Sequence, residues 1–163
     1  MKGKKYLAAV LALVLVLLTA STVSAKTERI DFTFRQWCDW DNVDWGREIF
    51  NGQANYIEKH FKQTCYMDYA SIPEVSGAIA IDINLNIVGH DYLNGQGAWK
   101  FTGKGYWVTD EGGVWETNCV YPWPMDLAHC EGRGEGKYAG YQIFFQTGGQ
   151  DMMGYGYITF NSP

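Results

Sequence analysis

The sequence predicts an all-β protein, built as an antiparallel sandwich or barrel. Three observations carry that prediction. Residues 78–88 (AIAIDINLNIV) alternate apolar and polar side chains five times in succession, the period-two signature of a strand with one buried face. Turn signals recur about every ten residues, and no segment offers a convincing long helix. Aromatic residues make up 16% of the chain and glycine occurs 19 times, a composition that favours strands and tight turns.

The first 25 residues are read apart from the fold. Lys2, Lys4 and Lys5 precede an uncharged apolar run over residues 6–18, and Val23-Ser24-Ala25 ends the segment with small side chains. That order describes a secretory signal peptide, with cleavage expected after Ala25. The apolar run is 13 residues long, whereas a bilayer-spanning helix needs about 20, so an uncleaved anchor is the weaker reading. No Cys stands at the exit to take a lipid, and no twin Arg is present. Residues 26–163 are then a single domain, secreted or held at the cell surface or in a periplasm. Loss of the three lysines would leave 10 basic residues against 18 acidic ones, a net charge of −8. A negative chain lacks the positive field that phosphate binding needs, so nucleic acid and anionic membranes are not expected partners.

Each element has its own local reason. Residues 28–35 place Ile30, Phe32 and Phe34 on one face and charged or polar groups on the other, a half-buried strand. Trp37 to Gly46 then reads as a polar, aromatic loop. Residues 48–61 are ambiguous: Phe50, Ala54, Ile57 and Phe61 fall at helical spacing, but Gly52, Asn51 and Asn55 oppose a helix. A strand over 50–59 is the preferred reading, followed by a short strand over 64–69. In 78–88, Ile79, Ile81, Ile83, Leu85 and Ile87 share one face. Asn94-Gly95 signals a hairpin turn. Strands are expected over 98–101, 106–109, 114–121, 137–147 and 153–160, with turns at residues 110–113 and at Gly148-Gly149. The glycines at 95, 97, 103, 105, 132, 134 and 136 suit a tightly curved sheet.

Four cysteines remain for an exported chain: Cys38, Cys65, Cys119 and Cys130. An even number outside the cell suggests disulfides. Three pairings can be drawn. Cys38 with Cys65 and Cys119 with Cys130 is preferred, because each then staples neighbouring segments. A metal reading is weaker, since no two Cys are spaced as CxxC and His129 beside Cys130 has no matching pair.

Three glycine and aromatic runs stand in order: Gly95-Gln96-Gly97-Ala98-Trp99; Glu111-Gly112-Gly113-Val114-Trp115-Glu116; and Gly132-Arg133-Gly134-Glu135-Gly136-Lys137-Tyr138-Ala139-Gly140-Tyr141, followed by Gly154-Tyr155-Gly156-Tyr157. This order resembles exported proteins of unknown function related to the allene oxide cyclase and dirigent barrels, over roughly residues 49–160. The resemblance implies a calycin-like or allene oxide cyclase-like antiparallel barrel of about eight strands, with a central cavity. Members of that group cyclise or orient apolar metabolites. Their catalytic positions have no residue-by-residue match here, so none is carried over. The insert between Cys119 and Cys130, with Pro122 and Pro124, departs from the simpler turn expected there.

Candidate chemistry is sparse. Asp39, Asp41 and Asp44 sit at near-alternate positions and invite a calcium reading, but the EF-hand pattern fails and a solvated acidic loop is preferred. His60, His90 and His129 lie in no recognised motif. Glu111 with Glu116, or Glu131 with Glu135, can be drawn as a glycosidase pair, yet 8 Glu and 10 Asp make such pairs easy to find by accident. Trp99, Trp107, Trp115 and Trp123 recur every eight residues. With Tyr141 they are the candidate binding residues, either as a stacking platform or, preferably, as packed core. No cofactor is called for. The expected function is binding of a small apolar or aromatic ligand inside the barrel. The alternatives are an isomerase or cyclase of the allene oxide cyclase type, and an extracellular carbohydrate-binding or surface-interaction module.

Overall fold

A computed structural model of the chain describes residues 27–51, 55–88, 98–122, 127–148 and 152–161. They form one antiparallel sheet of nine strands: β1 (Thr27–Cys38), β2 (Arg47–Asn51), β3 (Asn55–Asp68), β4 (Gly77–Val88), β5 (Ala98–Thr109), β6 (Val114–Pro122), β7 (Ala128–Glu135), β8 (Tyr141–Thr147) and β9 (Met152–Asn161). From β3 to β9 each strand pairs with the next. β9 then pairs along β1, and the end of β1 pairs with the end of β3, from Arg35 opposite Asp68 to Cys38 opposite Cys65. The pairing therefore runs in a ring through eight strands. β2 continues the line of β1 along β3: Asp39 N–H donates to the Thr64 carbonyl, Asp44 bridges Lys62, and Arg47 faces Lys59. Two 3₁₀ turns, Pro73–Val75 and Gly136–Tyr138, are the helical pieces among the described residues. No helix there is long and apolar enough to cross a membrane.

The strongly alternating segments become strands where expected, and the exceptions have physical causes. β1 runs on to Cys38, so Trp37 and Cys38 are paired residues rather than the start of a loop. The single strand expected over 50–59 is instead a hairpin end, with Phe50 opposite Tyr56 and Asn51 opposite Asn55. β3 then carries a bulge: its register with β4 passes from Glu58–Leu85 directly to Phe61–Ile83, and His60 takes φ 59°. A hairpin plus a bulge produces the spacing that mimicked a helix. Segments 98–101 and 106–109 are one strand, β5, because Gly103 and Gly105 interrupt its apolar pattern without breaking its ladder. The start of 137–147 is a 3₁₀ turn. β7 had no expected counterpart, since Gly132 and Gly134 stand among its inward positions. The signal segment, His90, the Asn94-Gly95 turn and Trp123-Pro124 lie outside the described residues.

One end of the ring is packed solid. Phe34, Trp107, Trp115, Ile143 and Val75 have no exposed surface. Trp107 and Trp115 are register partners on β5 and β6. Trp107 meets the rings of Phe34 and Phe145 edge-on, with centroids 6.0 and 5.5 Å away. Trp115 stacks on Tyr138 at 4.8 Å and donates from Nε1 to the Glu74 carbonyl at 2.9 Å. Glycine admits these rings. A Cβ on Gly154 would lie 2.2 Å from the Phe34 ring, and one on Gly113 1.8 Å from Tyr138.

Both disulfides form in the preferred pairing, Cys38–Cys65 and Cys119–Cys130. Each joins register partners on adjacent strands, with Cα atoms 3.9 and 4.1 Å apart. In the chain-entropy model, closing loops of this length stabilises by about 3 kcal/mol each. The outer face carries charge: Asp44, Lys62, Asp82 and Lys104 succeed one another across neighbouring strands, each facing the opposite sign.

Candidate functional site

The other end of the ring is hollow. It encloses a cavity of about 350 Å³, walled by Phe61, Ile81, Ile83, Leu85, Phe101 and Phe145 and by both disulfides. The β4 alternation supplies three of these side chains, and the cross-strand cystines cover what would otherwise be bare backbone. Trp40 and Trp45 form part of the rim. They are 48% and 55% exposed, and both rest against Phe61, with centroids 6.5 and 5.4 Å away. The loop that carries them returns to β3 through Gly46, at φ +62°, where a Cβ would lie 2.2 Å from the Lys59 carbonyl. Only glycine permits that approach.

Four polar side chains are buried along the wall: Gln36, Glu58, Gln63 and Thr147. Thr147 Oγ1 donates to Gln36 Oε1 at 2.8 Å, and Gln36 Nε2 donates to Cys38 Sγ at 3.4 Å. Gln63, 6% exposed, has no hydrogen-bond partner for Nε2 among the described residues. A buried unsatisfied donor costs about 1–3 kcal/mol. Gln63→Met is therefore expected to stabilise the empty protein by about 1 kcal/mol. Urea unfolding checks this, and a lowered midpoint would show that the amide is satisfied. Glu58 faces inward because of the bulge. In an unbulged strand, residues three apart such as Glu58 and Phe61 would lie on opposite faces; the bulge at 59–60 puts both inside.

The sequence candidates are scattered. Trp107 and Trp115 lie in the packed end, not on the cavity wall. Tyr141 is half-buried beside Tyr138 and Phe160, also away from the cavity. Trp99 is in β5 opposite Ile87, but its side chain lies outside the described residues, as does Trp123. Asp39, Asp41 and Asp44 are used by their own loop. Asp39 accepts from the Asp41 N–H and from Asn42 Nδ2, and the Asn42 bond holds its carboxyl below the ordinary value. Asp44 accepts from the Gly46 N–H and lies 3.8 Å from Lys62 Nζ. No metal-ligating cluster of three or more such residues occurs among the described residues. His60 Nδ1 lies 3.2 Å from an Asp82 oxygen on the exposed outer face. His129 lines a separate groove of about 710 Å³, with Gln146 Nε2 3.1 Å from its Nδ1. Sequence reading missed Trp40, Trp45, Glu58 and Gln63 as site residues. The clue for Gln63 was a polar residue directly beside an apolar strand pattern; Glu58 had none.

Comparison with protein-family models, curated proteins and solved structures finds no match for this chain.

Proposed function

We propose that this chain is an exported β-barrel that binds a small apolar or aromatic molecule in its cavity. The carrying observation is the contrast between the two ends of one interior: packed aromatics at one, an apolar space of about 350 Å³ at the other. That volume falls in the range of small-ligand sites, which are mostly apolar with a few placed polar groups. An eight-strand ring is just wide enough to be filled by side chains or to hold one small ligand. The ring pairing fits a barrel, in keeping with the allene oxide cyclase and dirigent resemblance. Two disulfides fit an oxidising compartment, and the charged outer face fits a surface bathed in water. The isomerase or cyclase alternative draws on the same cavity, with Glu58 as its candidate acid or base.

The test is titration with N-phenyl-1-naphthylamine, a neutral apolar reporter whose emission rises on leaving water. The expected result is saturable binding of one molecule per chain. Emission that never saturates, or stays at the level of buffer, would sink the reading.

A further inference from the structure

We propose that the cavity ligand is a neutral apolar body bearing a carbonyl oxygen, a ketone, aldehyde or ester, and that Gln63 holds that oxygen by a hydrogen bond. This rests on the cavity reading above and names the polar group of what enters.

Gln63 stands on β3 between Phe61 and Cys65, opposite Ile81 on β4, and all four line the cavity. The residue is 6% exposed, and its Nε2 has no hydrogen-bond partner among the described residues. A primary amide nitrogen carries two N–H donors. Phe61, Cys65 and Ile81 offer them no good acceptor. Elsewhere on the wall, Gln36 Oε1 already accepts from Thr147 Oγ1. A water at Nε2 would itself need two to four polar partners, and the flanking wall is apolar. A ligand carbonyl meets the donor without that demand. An apolar side chain of similar length would leave the empty protein more stable, so the amide is a local misfit that an acceptor on the ligand resolves. Small-ligand sites have this make-up, mostly apolar with a few polar groups that fix orientation. The wall also selects against charge. Among the described residues no Lys, Arg or His lines the cavity. A carboxylate inside would be a buried anion with no cation to pair it, which is costly, whereas a carbonyl needs only the amide.

The experiment displaces N-phenyl-1-naphthylamine from the disulfide-bonded protein, expressed from the full chain, with three near-isosteric competitors. Benzylacetone is a ketone, isopentylbenzene has a methyl group in place of the carbonyl oxygen, and hydrocinnamate is a carboxylate. Water solvates the ketone better than the hydrocarbon, so the quantity read is the ratio of their dissociation constants and its change on Gln63→Met. That ratio is expected to move about tenfold against the ketone in the variant, with reporter binding kept and hydrocinnamate the weakest competitor for both proteins. A second measurement needs no variant: the infrared carbonyl stretch of bound, isotope-labelled benzylacetone should lie below its value in cyclohexane, as hydrogen bonding lowers it. A ratio unchanged within about threefold, a stretch at the cyclohexane value, or hydrocinnamate as the best competitor overturns the carbonyl proposal, while reporter binding leaves the cavity reading standing. Absence of reporter binding overturns both.

Discussion

Trp107→Ala is expected to destabilise the protein by about 4 kcal/mol. Trp107 has no exposed surface and sits where the closed half of the ring meets the hollow half. Its ring holds Phe34 and Phe145 edge-on, and Phe145 is also part of the cavity wall. Removing the indole would leave a void beneath Phe34 and Phe145, which places the loss within the range of about 3–5 kcal/mol usual for buried Trp truncations. Typical domains have only 5–15 kcal/mol in total. Trp107→Phe should cost far less, because Nε1 has no hydrogen-bond partner to lose among the described residues. Trp115→Phe should cost about 1 kcal/mol more than Trp107→Phe, since it orphans the Glu74 carbonyl. Urea unfolding of the three variants gives the ranking. Equal losses for Trp107→Phe and Trp115→Phe would show that the Glu74 bond contributes nothing.

Ala128→Phe is expected to weaken reporter binding at least tenfold, about 1.4 kcal/mol, with little change in the urea midpoint. Ala128 faces the cavity from β7, opposite Thr147, and is 6% exposed. A phenyl ring there enters empty space, so the strain of overpacking that a filled core would impose is small. Reporter titration on this variant checks it. Undiminished binding would move the ligand out of the ring, for instance to the separate groove beside His129. Loss of fold with loss of binding would show that the space is not empty.

The candidate site was only partly legible. The β4 isoleucines announced an apolar wall, and the cysteine pairing was correctly preferred. The tryptophan spacing of eight was a true signal of position: it placed Trp107 and Trp115 side by side on β5 and β6. It did not indicate which end of the ring they would occupy. Glu58 was hidden because its face depends on whether one or two residues lie between it and Phe61 in the ladder, and a bulge leaves no mark in composition. Trp40 and Trp45 read as loop residues, and their approach to Phe61 depends on Gly46 returning the loop to that same bulge.

Period-two alternation, turn spacing and an even set of cysteines determined from the sequence that this is an antiparallel, disulfide-stapled β protein. Those are local properties, fixed by which side chains suit a pleat and which residues permit a turn. The tertiary structure alone decided that β1 meets β3, that glycines at one end admit the Phe34 and Tyr138 rings, and that a cavity remains towards the other. Closure joins residues about 30 positions apart, Cys38 with Cys65 and Arg35 with Asp68. Whether the interior is filled or hollow depends on how side chains from eight strands add up at each level, a sum that no single strand carries.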